Sequence, residues 1–292
     1  MRPALVAVAK GLVTPSAYFD GFDPAKSPFG SHRNLGNQHV SILDDHDEVF
    51  GQKLRFSANA SSGHQVVAGV AIQLFSLGIP CIYYGTEQAF AGPEPSEQHW
   101  LPGWGGADRY LREAMFGPSH PRASGRAGLQ ADAADLDLPG FGPFGTAGVH
   151  CFDSNHPAYR RIARLCSLRR SYPVLRQGRQ YLRPVSLFGG PFQGYGGGEL
   201  LGWSRILDDE EALCIVNTHG TEPRGADVLV DASLSAGSGQ FRVVLNTAEV
   251  AGAPVTQPTG SVLAVERKPD GTAYVAIRDV PPSEVLVLDN RS

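Results

Sequence analysis

Basic charge is in short supply in this chain, and so are long apolar runs. Lys and Arg number 25 against 29 Asp and Glu, for a formal net charge of -4. A nucleic-acid binder needs a basic surplus to meet phosphates, and none exists here. No segment approaches the roughly 18 to 20 consecutive apolar residues of a membrane-spanning helix. Neither nucleic acid nor a membrane is therefore an expected partner. Cysteine is equally sparse. Cys81, Cys151, Cys166 and Cys214 lie far apart, without the paired spacing of a zinc site or a redox motif. Three of them have apolar neighbours, which predicts buried thiols rather than disulfides. What is present is ordinary for a soluble globular protein: 42% hydrophobic and 18% charged residues. A length of 292 residues suffices for one large domain or two ordinary ones.

The first 17 residues imitate a signal peptide, with Arg2 near the start and small residues at Ser16 and Ala17. Lys10 interrupts the apolar stretch and counts against that. The preferred reading is a helix with Leu5, Val8 and Leu12 on one face, and with it a cytoplasmic placement. A polar, Gly- and Pro-containing loop follows over 18–36. Residues 39–43 read as a buried strand, and 61–77 as a helix through Val66, Val67, Val70, Ala71, Leu74 and Phe75, ended by Gly78. Residues 79–84 read as a second apolar strand. Strand, helix, strand with short links predicts a parallel βαβ unit.

From 86 to about 154 there is little periodic pattern, and so long a connection is usually functional or disordered. A helix is predicted over 158–172, with Ile162, Leu165, Cys166 and Leu168 inward, its arginines mostly outward, and Pro173 as its stop. From about residue 178 the pattern changes to short strands separated by turns, over 200–206, 212–217, 228–230, 241–245, 262–266, 273–277 and 285–288. These predict an antiparallel β-sandwich. The expected division is a first domain over 1–177 and a sandwich domain over 178–292.

The most informative segment is Val40-Ser-Ile-Leu-Asp-Asp-His-Asp47. An apolar strand ends in three carboxylates and an imidazole, the pattern of a barrel strand delivering chemistry at its C-terminal end. Taken alone, the Asp44, Asp45, His46, Asp47 cluster also fits a metal-binding loop or a solvated strand-to-loop junction. Tyr84 at the end of the second strand either lines a cleft or packs. Trp100, Trp104 and Tyr110 either stack on sugar rings or form a cluster that pins the long loop. Asn59-Ala-Ser61 matches a glycosylation sequon, a pattern that chance often produces.

The segment Leu43-Asp-Asp-His-Asp47 resembles the fourth signature region of the α-amylase superfamily, glycoside hydrolase family 13, which ends in His-Asp after the seventh barrel strand. Gly78-Ile-Pro-Cys-Ile-Tyr-Tyr-Gly-Thr-Glu87 resembles the later signature at the eighth strand. The two stand in the right order with a helix between them, and a β-domain follows. Weaker matches are Arg112-Glu-Ala-Met-Phe-Gly117 and residues 165–176 as an eighth barrel helix. The resemblance implies a retaining glycosidase acting on α-glucosidic bonds. Asp47 is then the third catalytic carboxylate, the one that stabilises an oxocarbenium-like transition state. His46, Tyr84 and Trp100 then bind substrate, an α-glucan or oligosaccharide. Glu87 has a structural role, and Asp44 and Asp45 are supports.

The remaining chemistry of that family is not in the chain. A retaining glycosidase needs a nucleophile and an acid/base about 5 Å apart. In this family the nucleophile is an Asp in a Gly-x-Arg-x-Asp-like strand end, and no such segment occurs. A full barrel takes about 250 residues. The expected fold is therefore a partial (β/α)8 barrel, about strands seven and eight with their helices and a long loop after the eighth strand, followed by the β-sandwich. Alone, such a chain is expected to be inactive and in need of the missing barrel segment as partner. The resemblance places the family's calcium ligands in earlier segments, so no metal is expected here. The alternatives are a non-catalytic carbohydrate-binding module and part of an α-glucan transglycosylase.

Overall fold

The computed structural model describes residues 40–45, 55–59, 65–90 and 154–291. The expected N-terminal helix, and the loop bearing Trp100, Trp104 and Tyr110, lie outside these residues. The chain divides into two compact units. One holds the described parts of Met1–Ser41, Val67–Cys81 and Ala163–Ser292, the other those of Ile42–Val66 and Ile82–Ile162.

Strand β1 (Val40–Ile42), whose first two residues belong to the first unit, and β2 (Ile79–Cys81) are hydrogen-bonded neighbours in a two-stranded sheet. Between them in sequence is α1 (Val66–Phe75). This helix is apolar on nearly every face, and all of its residues are buried. Such a helix belongs in a core, not at a surface. Its one amide, Gln73, donates through Nε2 to the carbonyls of Ser41 (2.6 Å) and Cys81 (2.7 Å), so a single buried side chain serves both strands. Gly78, at φ 118°, makes the turn into β2 in a conformation that L side chains rarely adopt.

Helix α2 (Pro157–Ser171) is followed directly by α3 (Pro173–Gln177). Pro173 does not simply stop a helix, as expected. It occupies the first turn of the next one, where its missing N–H costs nothing. Two arginines of α2 also depart from their outward assignment. Arg169 donates to the carbonyls of Leu74 (2.5 Å) and Leu175 (2.9 Å). Arg161, which lies in the second unit, is buried and donates to Pro157 O within its own helix. Among the thiols, Cys214 is buried as predicted, whereas Cys81 and Cys166 are free and exposed.

The remainder of the first unit is antiparallel, as the alternation predicts, but it is not a two-sheet sandwich. Its strands are β3 (Arg179–Arg183), β4 (Val185–Ser186), β5 (Leu200–Leu207), β6 (Glu210–Asn217), β7 (Arg224–Leu229), β8 (Gln240–Asn246), β9 (Val262–Arg267), β10 (Ala273–Val280) and β11 (Val285–Asp289). They form one sheet in the order β3-β5-β6-β11-β8-β9-β10-β7-β4. Its first and last strands are consecutive in sequence. The chain turns the corner at Pro184, whose carbonyl accepts from Leu229 N–H, and β4 then pairs with β7. At the opposite corner β9 changes partner midway: Val262–Ala264 face β8 and Val265–Arg267 face β10. Strands that cross between layers at both corners convert a sandwich into a nearly closed barrel and leave little free edge.

Alternate residues fill that barrel. Leu213, Ile215, Val228, Phe241, Val243, Val275, Ile277, Leu286 and Leu288 form its core. Gly202 permits the closure: a Cβ there would lie 2.9 Å from Val228 Cγ1 of β7. A polar cluster sits among these strands as well. The fully buried Glu211 carboxylate accepts from Arg183 Nη2 at 2.6 Å, from Ser204 Oγ and from the Asp231 N–H at 3.0 Å.

The opposite register of β5 carries Trp203 and Arg205, both buried. Trp203 Nε1 donates to Phe75 O at 3.0 Å. Arg205 donates to Phe75 O (2.8 Å), Leu175 O (2.9 Å) and twice to Gly178 O (3.1 and 2.7 Å). These are carbonyls at the C-terminal ends of α1 and α3, which helices leave unsatisfied, and a cation is the favoured partner there. Burial pushes the Arg205 pKa down to about 10, so the group is charged at neutral pH.

Candidate functional site

The strand that carries the predicted chemistry ends inside the second unit, and its first acidic residue is not free for catalysis. Asp44 is 1% exposed. Its Oδ1 accepts from the Phe56 N–H at 2.5 Å, and its Oδ2 accepts from Thr86 Oγ1 at 3.0 Å. Arg55 Nε stands 3.8 Å from the same Oδ2, with both side chains fully buried. Hydrogen-bond donors and a nearby guanidinium favour the ionised form of a carboxyl group and offset its burial. The Asp44 oxygens are committed to structure. This is the support role expected of Asp44.

Arg55 extends the network. Its Nη2 donates to Tyr84 O at 2.5 Å and to Thr86 Oγ1 at 3.4 Å. Its guanidinium lies 4.8 Å from the Tyr83 ring centroid, 5.5 Å from Phe90 and 5.7 Å from Tyr84. Cation–π contacts of this kind strengthen once water is excluded. Residues 29 and 31 positions downstream are thereby fastened to the end of β1.

The receiving turn is tightly built. Thr86 N–H bonds Tyr83 O, the 3-10 helix Thr86–Gln88 follows, and Phe90 N–H returns to Gly85 O at 2.9 Å. Gly85 has φ 81°, and a Cβ there would sit 2.4 Å from the Phe90 ring. Gly85→Ala therefore combines left-handed strain with overpacking. It is expected to cost about 2–3 kcal/mol by those two effects, read as a lower midpoint in urea denaturation.

Of the predicted site residues, Tyr84 is described. It is 39% exposed, its ring edge-on to Tyr83 at a centroid distance of 4.6 Å. Asp45 and Glu87 are partly exposed. His46, Asp47 and Trp100 lie outside the described residues. No group of metal-ligating side chains occurs among the described residues, and no described helix is long and apolar enough to cross a membrane. Arg55, Thr86 and Phe90 were not anticipated from sequence. An arginine set between Leu54 and Phe56 so soon after an acidic strand end is the one local signal that marks a buried partner.

No family model matches the chain. An α-amylase of Streptomyces lividans is 27% identical to it over 231 residues, covering 70% of this chain and 21% of that enzyme. A cyclomaltodextrin glucanotransferase of Bacillus sp. (strain 1-1) is 41% identical over 58 residues, 20% of this chain and 8% of the enzyme. The solved γ-cyclomaltodextrin glucanotransferase of alkalophilic Bacillus clarkii covers 99% of this chain at TM-score 0.56 and 18% identity. The chain resembles the α-amylase and cyclomaltodextrin glucanotransferase superfamily. It spans about a fifth of the S. lividans relative and 31% of the B. clarkii structure. In this amylase-like chain, Asp44, Arg55 and Thr86 are the scaffold at the end of the strand that leads to His46 and Asp47.

Proposed function

We propose that this chain forms part of a retaining glycosidase of the α-amylase type, acting on α-glucosidic bonds of a glucan or oligosaccharide. The carrying observation is the Asp44–Arg55–Thr86 lock. It fixes the strand end immediately before the Asp45-His46-Asp47 run to the turn holding Tyr84, in a chain distantly related to α-amylases. Asp47 is the carboxylate that stabilises positive charge developing on the sugar. His46 donates to sugar hydroxyls, and Tyr84 and Trp100 offer rings to the substrate. The nucleophile and the proton donor come from residues outside these 292, since no Gly-x-Arg-x-Asp strand end is present.

Transglycosylation is the neighbouring reading, favoured by the 58-residue match to a cyclomaltodextrin glucanotransferase. It uses the same carboxylates and differs in whether water or a sugar hydroxyl accepts the glycosyl group.

The test is reconstitution. The chain is assayed on a chromogenic maltoheptaoside alone, and joined to a barrel segment carrying the Arg-x-Asp and Glu strand ends. Turnover is expected in the joined protein only. Asp47→Asn is expected to lower its kcat by about a hundredfold or more, the scale of losing one electrostatic stabiliser. Turnover by the chain alone would sink the proposal. So would full activity of the Asp47→Asn protein.

A further inference from the structure

The β-barrel carries a second feature that the catalytic reading leaves unused. Leu187 to Gly190 form a tight turn, closed by Gly190 N–H to Leu187 O at 2.9 Å and pinned by Ser186 Oγ on Gly190 O at 2.7 Å. Its two central residues, Phe188 and Gly189, have φ of 51° and 75°. Turns of that hand favour Asn-Gly, because both positions need positive φ. A bulky residue there is an outlier. Phe188 is also fully exposed. The chain thus holds a large apolar ring in water, on strained backbone, with no packing in return. Strain of this kind points toward a ligand contact.

The ring borders a groove of about 450 Å³, within the size range of small-molecule sites. Two ion pairs line it: Arg278 Nη2 on Asp227 Oδ1 at 2.6 Å, and Arg224 Nε on Glu199 Oε2 at 3.4 Å. Asp279, also at positive φ, completes the polar wall. Three carboxylates against two guanidinia exclude a phosphate or other anion as the preferred occupant. The guanidinia likewise disfavour a metal cation. A guanidinium has five donors and a carboxylate about four lone pairs, so each pair retains capacity for neighbouring hydroxyls. An apolar face for stacking beside paired donors and acceptors of nearly balanced charge suits a neutral, polyhydroxylated ring.

We propose that this groove is a glycan-binding site, with a sugar ring stacked on Phe188 and its hydroxyls held by the Asp227–Arg278 and Glu199–Arg224 pairs. The choice of an α-glucan among neutral glycans rests on the function proposed above. The test is calorimetric titration of the full chain with maltoheptaose and, separately, cellohexaose, together with thermal melts. Maltoheptaose is expected to bind. Phe188→Ala and Phe188→Asn are expected to weaken binding at least tenfold, and Phe188→Tyr to retain it. Phe188→Asn is also expected to raise Tm, since Asn tolerates the left-handed backbone. Absence of maltoheptaose binding, or wild-type affinity in Phe188→Ala, overturns the proposal. Equal affinity for cellohexaose overturns the α-glucan assignment. Loss of binding in His46→Ala with Phe188→Ala unaffected overturns the groove and leaves the catalytic reading standing. Inactivity of the reconstituted enzyme with Phe188-dependent binding intact removes the catalytic reading alone.

Discussion

Arg205→Met is expected to lower the unfolding free energy by about 3–5 kcal/mol, because it removes charge-assisted hydrogen bonds to three carbonyls, each such bond contributing about 1.5–3 kcal/mol. Methionine keeps most of the aliphatic stem, so the change isolates the guanidinium. Its removal leaves Gly178 O without its side-chain donors, while Leu175 O still accepts from Arg169 Nη1 and Phe75 O from Trp203 Nε1. Each buried acceptor stripped of its partner costs about 1–3 kcal/mol. Arg205→Lys is expected to recover only part of the loss. An ammonium is a point donor and cannot reach three carbonyls in a planar fork. Guanidinium chloride denaturation measures all three proteins. A loss below about 1 kcal/mol for Arg205→Met, the net worth of an ordinary hydrogen bond, would show that water replaces the guanidinium at these carbonyls.

Arg205 also marks the boundary of what sequence reasoning could reach. Strand β5 was legible because Leu200, Leu201, Trp203 and Ile206 make a short apolar run before the turn at Asp208-Asp209, and β6, β8, β10 and β11 were legible as similar short apolar runs. The helices α1 and α2 followed from 3.6-residue spacing. Strands β3 and β4 were not read. Arg-Gln-Tyr-Leu-Arg alternates weakly, and Val185-Ser186 is two residues long, so neither produces a pattern. Those two strands are what separate a sandwich from the nearly closed barrel, because they carry the chain across the corner at Pro184. Closure is a long-range property: β4 meets β7 more than 40 residues later. It depends on a glycine at 202 whose role appears only beside Val228.

The same limit governs the candidate site. The acidic end of β1 was conspicuous in sequence, and the support role of Asp44 was implied by the family resemblance. Its partners were not, because Arg55 and Thr86 stand 11 and 42 residues away in segments with no period. Arginines are read as surface residues by default, and Arg55, Arg161 and Arg205 are all buried. In each case the guanidinium meets backbone carbonyls. Carbonyl acceptors are invisible to side-chain pattern reading, since every residue has one.

Asp44→Ala is expected to be as damaging as Arg205→Met, and for a related reason. It takes the Asp44 carboxylate away from the Arg55 guanidinium and removes the acceptor of the Phe56 N–H and of Thr86 Oγ1. Breaking one side of a buried ion pair costs about 3–5 kcal/mol. Arg55→Met alone leaves Asp44 with two donors, Phe56 N–H and Thr86 Oγ1, and is expected to cost less. The double variant Asp44→Ala/Arg55→Met is expected to be milder than the sum of the two, with a coupling of about 1–3 kcal/mol between directly contacting residues. Hydrogen exchange of the Tyr84–Phe90 amides is the suitable readout, because Arg55 and Thr86 tie that turn to the strand end and local opening there need not follow global unfolding. Additive costs, or unchanged protection of those amides in Asp44→Ala, would mean that the strand end is held by its backbone alone. A coupled loss means that Asp44 holds the Tyr84–Phe90 turn to the strand end, and under the function proposed above Asp44→Asn is then expected to lower kcat of the reconstituted protein while KM stays near its wild-type value.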